Sequence, residues 1–476
     1  MINLILIFPI IACVLMAFVK SKTFSNVMIN LYAVVHLISS VLLACNIGKK
    51  GNIPYFSADN TNITFLLVLS FVFLMVAIYN NGYTKHLKIN TRRMRHYSMM
   101  LIVFVFAMTG AILASNLGIS WIFVEATTLS SAYLIYFNKT KHSIEAAWKY
   151  VFICSIGIAL AFVGIILLNI AQGELNVLDY AQLYKHATSF DPFWLKLSFV
   201  FMLFGFGTKM GLAPTHFWLP DAHSEAPSPI SALLSATLLN SAFLVIVRVF
   251  KVLDIAGCDD YARTMLLLMG FLSVFVTAVF VYHIKNYKRM LAYSSIENMG
   301  ILAIGTALGG AALYAVILHL IGHSLAKASF FLTSGNVLEL FETKRIKSIN
   351  GLMEADKKTA WLWIFSFLAI CAFPTSALFI SEFLIIKTMV LNSQWILCIL
   401  FVLLLTIIIY GIGRVVVKMA YGKLSQDKVE LISETKTKLG AQMYIPQIIM
   451  LILVFTLGIY IPPFLNSIIN CAMAGF

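Results

Sequence analysis

The chain has 476 residues, of which 61% belong to the apolar set and only 11% are charged, and its mean hydropathy is +0.91. Soluble domains carry about 25% charged residues, so these values exclude a water-soluble enzyme and point to membrane spans of about 20 apolar residues each. The net charge of +14 reads in such a protein as basic cytoplasmic loops rather than as a nucleic-acid surface.

Fourteen apolar runs follow one another: 2–19, 26–46, 62–79, 98–114, 117–137, 146–170, 197–219, 229–250, 262–284, 290–307, 311–336, 360–386, 394–420 and 444–464. Runs of this length are helices, because a helix satisfies its own backbone polar groups in lipid. Barrel strands would instead alternate in segments of about 10 residues. The expected fold is therefore all-α and polytopic, with about fourteen transmembrane helices. The first run has no basic leader and no small-residue cleavage site, so it reads as a retained helix.

Lys and Arg gather in the odd-numbered loops, among them Lys88, Arg92, Arg93, Arg95, Lys285 and Lys288 and, near the C-terminus, Lys428, Lys436 and Lys438. The even-numbered loops hold fewer, such as Lys49 and Lys50. This bias places the odd loops in the cytoplasm and both termini outside it. The expected location is the cell (inner) membrane.

A few ionisable residues lie inside the runs. Each costs at least about 2.5 kcal/mol at mid-membrane, so together they mark an ion path facing the bundle interior. The fifth run, SWIFVEATTLSSAYL, holds Glu125, either a protonatable carboxylate or ion-pair partner, or a structural glutamate satisfied by Thr127, Thr128 or Ser130. The seventh holds Lys209, shortly before an internal proline, Pro214. A Glu–Lys pair whose separation changes can take up and release a proton. The alternative is a lysine that snorkels to the interface.

The tenth run holds Glu297, a partner for Lys327 or part of a local hydrogen-bond network. In the eleventh, ILHLIGHSLAKASFF, residues His319, His323 and Lys327 recur every fourth residue and share one face. They suit a water-linked proton relay; a metal site and a polar packing stripe are the competing readings. The twelfth run has an internal proline, Pro374, followed by Glu382, a terminal protonatable group for the path. Pro214 and Pro374 lie five runs apart, and an odd offset means opposite orientation. That is the pattern of inverted repeats with discontinuous helices.

The seven cysteines are scattered, with no CxxC spacing, and no Gly-rich phosphate loop occurs. No cofactor is expected in this chain.

The run GTKMGLAPTHFWLPDAHSEAPSPISALLSA, with KRMLAYSSIENMGI and HLIGHSLAKASFFLTSGNV, resembles the antiporter-like proton-translocating subunits. These are the large membrane subunits of complex I, the Mrp antiporters and the membrane arms of energy-converting hydrogenases. The wording SSIENMGI and the compact length are most similar to the F-type membrane component of hydrogenase-4. The resemblance covers roughly residues 97–390. It implies two inverted five-helix repeats with broken helices 7 and 12. N-terminal helices then occupy 1–97, the first, proton-conducting repeat 98–250, the second repeat 262–420, and a C-terminal loop and helix 421–476.

The resemblance also implies that Glu125, Lys209, His319, His323, Lys327 and Glu382 form the proton path, with protons taken up near His223 or Lys209. Relatives carry a titratable residue in the eighth helix where this chain has Ser235 and Asn240; the relay there must use water or polar side chains. The implied partners are other membrane subunits, a peripheral redox module and the lipid bilayer, with no nucleic acid. A cation/proton antiporter subunit and a non-conducting structural subunit are the alternative functions.

Overall fold

The computed structural model describes residues 1–46, 53–86, 89–424 and 439–476; the loop lysines Lys49, Lys50, Lys88, Lys428, Lys436 and Lys438 lie outside them. The described chain is helical, with no β-strand among the described residues. Three N-terminal helices, α1 (Ile2–Phe18), α2 (Lys22–Ala44) and α3 (Asn60–His86), lead into α4 (Thr91–Leu113), α5 (Leu117–Ile135) and α6 (Lys141–Gln172). A short α7 (Tyr180–His186) precedes α8 (Pro192–Met210), α9 (Trp218–Glu225) and α10 (Ser228–Ile255). Then come α11 (Asp259–Phe280), α12 (Tyr287–Leu308) and α13 (Ala311–Phe341). The last five are α14 (Lys357–Ile370), α15 (Ala377–Leu391), α16 (Trp395–Ala420), α17 (Ile445–Ile459) and α18 (Pro463–Met473).

Eleven of the described helices are long and apolar enough to cross a membrane. Three of the expected runs fall short of that measure for different reasons. Helix α1 has only 17 residues. Helix α12 is diluted by Ser294, Ser295, Glu297 and Asn298 in its middle. The twelfth run is divided into α14 and α15, of 14 and 15 residues.

Seven of the fourteen runs have helices that begin three to seven residues earlier, and in six of these a polar side chain caps the start. Asn90 accepts from Arg93 N, Thr140 from Ser143 N, and Asp191 from Phe193 N and Trp194 N. Each cap satisfies amide groups that would otherwise be orphaned at the helix start.

Helices α10 and α13 form the centre: the most apolar 18-residue window of each is wholly buried. Helix α16 lies at the rim, where Ile396, Ile399 and Leu403 are exposed as lipid-facing residues should be. The tightest seam joins α6 to α8. A Cβ at Gly157 would come within 2.7 Å of Thr208, and one at Gly205 within 2.5 Å of the Ala161 backbone. Small residues let the two backbones approach where apolar burial alone gives no drive between helices in lipid. The α11–α12 seam repeats the device, with Gly270 and Gly300 face to face.

Candidate functional site

Two interruptions bring polar groups into the bundle. Helix α8 ends at Gly211, whose φ of 81° suits a left-handed cap, and the chain passes a cis Ala213–Pro214 peptide before α9. The freed backbone is re-satisfied locally: Trp218 Nε1 donates to the Thr208 carbonyl at 2.7 Å, and the Ala213 amide donates to Ser273 Oγ at 2.9 Å. Between α14 and α15 the chain runs through Ala372 and Thr375, both at positive φ, until Ser376 caps α15 by accepting from Phe379 N. Irregular backbone at membrane depth persists only where protein or a polar cavity surrounds it.

Lys209, in the last turn of α8, is fully buried. Its ammonium donates to the Tyr150 hydroxyl at 2.8 Å and lies 4.8 Å from the centre of that ring. Tyr150 in turn exchanges a 2.6 Å hydrogen bond with Ser131 of α5. Glu125 is half-buried; its carboxylate accepts from Thr128 and from Ser155 of α6, both at 3.0 Å. Glu125 and Lys209 thus stand close enough to interact electrostatically, while their hydrogen bonds go to Thr128, Ser155 and Tyr150.

The second cluster is carried by α13. His319 is pinned at both nitrogens, by Ser381 of α15 at 2.9 Å and by Asn298 of α12 at 3.1 Å. His323 stacks on it at 6.4 Å with the rings 4° apart, is fully buried, and has both ring nitrogens unpartnered. Lys327 is fully buried and donates to the Leu291 carbonyl at 2.8 Å. Glu297 is buried within electrostatic reach of Lys327, and Glu382 is buried within reach of Glu297. Cys371, at the end of α14, is near all three.

Between the clusters, α10 contributes hydroxyl and amide groups instead of a charge. Ser235 bonds Ser295 of α12 at 2.7 Å, and Asn240 Nδ2 donates to Ser324 of α13 at 2.8 Å. Ser235 sits in a π turn, Leu234–Leu238, within the otherwise α-helical α10. His223 of α9 is fully buried, with both nitrogens unpartnered and its ring stacked 4.7 Å from Phe331. The groups brought together are therefore Glu125 with Lys209, and His319, His323 and Lys327 with Glu297 and Glu382. Asn240 and His223 lie against α13 from the side of the first cluster.

Several residues that hold these groups were not singled out from the sequence: Tyr150, Ser131, Ser155, Asn298 and Ser381. Two of them are sequence neighbours of intramembrane acids, Asn298 beside Glu297 and Ser381 beside Glu382, and that adjacency was the available signal. A third polar cluster lies away from these two. His36 of α2 is buried between Ser70 of α3 at 2.7 Å and Thr109 of α4 at 2.8 Å, and both of its nitrogens are satisfied.

Eleven apolar helices long enough to span a membrane among the described residues, with two interrupted helices and ionisable groups buried in the bundle, define a multi-pass membrane protein. The chain belongs to the NADH:quinone oxidoreductase/Mrp antiporter membrane family, whose pattern matches residues 114–409. It is 33% identical over 473 residues to the hydrogenase-4 component F homolog of Methylacidiphilum infernorum, covering 96% of each chain. Its fold is shared with a chain of the membrane-bound sulfane sulfur reductase, an archaeal respiratory membrane complex, at a TM-score of 0.87 and 22% identity over 100% of this chain and 97% of that one. It is likewise shared with a chain of the Mrp complex from Dietzia sp., at a TM-score of 0.84 and 17% identity, over 100% and 95%.

Proposed function

We propose that this chain is a proton-translocating membrane subunit of a redox-driven complex of the complex I or energy-converting hydrogenase kind. In this reading it has fourteen membrane spans, with N-terminal helices in 1–97, inverted repeats in 98–250 and 262–420, and a closing loop and helix in 421–476. Both termini lie outside the cytoplasm. Protons enter from the cytoplasm near His223 or Lys209, move past Ser235 and Asn240 by way of water and polar side chains, and reach Lys327 through His323 and His319. They leave by Glu382, with Glu125 setting the charge state of Lys209. The electron chemistry belongs to partner chains.

The observation that carries this reading is the pair of fully buried lysines, Lys209 and Lys327, one in each half. An uncompensated buried charge is costly, so residues of this kind in a membrane are functional by default. The energy scale is compatible. One charge moved against 100 mV requires about 2.3 kcal/mol, and a Glu–Lys pair brought to about 4 Å gains about 4 kcal/mol at an effective dielectric constant near 20. A change of Glu125–Lys209 separation therefore has the size needed to load or release one proton.

The test is proton pumping by the assembled complex in inverted vesicles. Lys209→Ala should abolish pumping while the complex still assembles; unchanged pumping overturns the reading and leaves a structural subunit. A second reading has specific support in the 26% identity, over 82% of the chain, to the D component of the Na(+)/H(+) antiporter of Alkalihalophilus pseudofirmus. Under it the same carboxylates carry Na⁺, and transport depends on sodium concentration.

A further inference from the structure

Helix α9 presents two polar residues to different surroundings. Asp221 is on the wet side, its side chain 17% exposed. It pairs at once with the guanidinium of Arg289, from the start of α12, and with the ammonium of Lys149 of α6 at 3.3 Å. Lys149 also bonds Glu145 at 2.7 Å. With His142, Ser224, Asn286 and Glu225, the last paired with Lys344 at 3.1 Å, these groups line a polar cavity of about 320 Å³.

Two residues along the chain, His223 is on the dry side: fully buried, with neither ring nitrogen partnered. It stands within electrostatic reach of both Lys288 and Lys327. Lys288, the neighbour of Arg289, is buried, and its ammonium donates to the Ala226 carbonyl just beyond the end of α9.

A tie that merely joined α6, α9 and α12 would need neither a polar cavity in front of it nor an imidazole with two bare nitrogens behind it. Buried polar atoms without partners are expensive, and a native chain keeps few of them. Part-exposed ion pairs, by contrast, are individually weak, so the Asp221 contacts can open at small cost. The three elements that meet here also come from both halves of the chain, α6 and α9 from the first and α12 from the second.

Resting on the proton-translocation reading above, we propose that the cavity at Asp221 is the proton-uptake port of this chain and that the Arg289–Asp221–Lys149 triad is its gate. While Asp221 is ionised, the triad stays closed and separates His223 from the cavity. When the Asp221 carboxylate takes a proton it becomes neutral and releases Arg289 and Lys149. The proton then passes, through water admitted when the triad opens, around the helix to a free nitrogen of His223, giving an imidazolium and restoring the Asp221 carboxylate, which recaptures both cations. The imidazolium passes the proton into the route past Ser235 and Asn240 and through His323 and His319, which accepts it once Lys327 has passed its own proton onward.

The experiment uses the assembled complex in inverted vesicles, with Ser224→Cys as a reporter in the cavity. The reagent is a permanently charged, membrane-impermeant methanethiosulfonate, measured against the same complex without that cysteine. The port predicts labelling from the cytoplasmic face and loss of pumping on labelling. The gate predicts labelling at least fivefold faster when Arg289→Ala is added, and a return to the slow rate with Arg289→Lys. Asp221→Asn should cut pumping at least tenfold in fully assembled complex, with Asp221→Glu recovering most of it. If Arg289→Ala leaves the labelling rate unchanged, the gate is overturned. If Asp221→Asn and the labelled cysteine both pump normally while Lys209→Ala does not, the port is overturned and the wider reading stands.

Discussion

Tyr150 grips Lys209 in two ways, by its hydroxyl and by the face of its ring. Tyr150→Phe keeps the ring and removes the acceptor. A buried group that loses its partner costs about 1–3 kcal/mol, here falling on the charged lysine. If Lys209 must cycle between charged and neutral forms, the variant should pump about tenfold more slowly with the assembled amount unchanged, as read by vesicle acidification per unit of complex. Equal rates would mean that the hydroxyl has no part in the lysine's charge cycle. Asn240→Leu makes the parallel case between the clusters. It removes the bond to Ser324 and, if protons cross at α10, should slow pumping by a similar factor without affecting assembly. Lys288, read as a loop lysine, is buried in α12 and was not legible in the sequence; Lys209, Lys327, Glu297 and Glu382 were, because lipid makes each of them expensive and therefore rare. Their hydroxyl and amide partners were not, because Ser, Thr and Tyr are common in membrane helices and nothing in their spacing distinguishes Ser155 from Ser143.

At the scale of the helix, the seams set the geometry. The α6–α8 seam has no room for a side chain at Gly157 or Gly205. Gly157→Leu should force Thr208 and α8 outward, next to Lys209, at a cost of about 1–3 kcal/mol or more. The expected result is a lower melting temperature of the detergent-solubilised protein, with lost pumping as a secondary effect; an unchanged melting temperature would show that the seam yields. The two proline-bearing interruptions could be anticipated from the sequence, since Pro removes a helical donor. The polar first turns were not, because hydropathy ends a run where capping chemistry begins. Helices α7 and α18, of 7 and 11 residues, were missed for a related reason: each is too short to cross a membrane and carries no continuous apolar run.

At the scale of the whole molecule, the distribution of Lys and Arg leads to a prediction about sidedness. Cys45 and Cys471 are both exposed, and both lie on the side assigned to the exterior. The C-terminal segment lies against the start of α3, where Thr61 donates to the Ala472 carbonyl, and against the middle of α10, where Phe476 packs on Phe243. Both cysteines should react with an impermeant thiol reagent in intact cells and be protected in inverted vesicles. The opposite pattern would reverse the assigned orientation. The assignment rests on loop charge, whereas the packing of the C-terminus on α3 is a long-range contact with no sequence marker.

The π turn of α10 has a geometric consequence. Successive side chains on a regular helix advance about 100°, whereas the π turn fits five residues into about one revolution. Ser235 meets α12 while Asn240 meets α13, and the wide turn sets the angle between them. Winding it into regular α-helix with every residue kept would rotate one side chain by about 100° against the other and swing one contact off its mate. The two halves of the molecule would then be coupled through one handhold instead of two, with every other side chain still present.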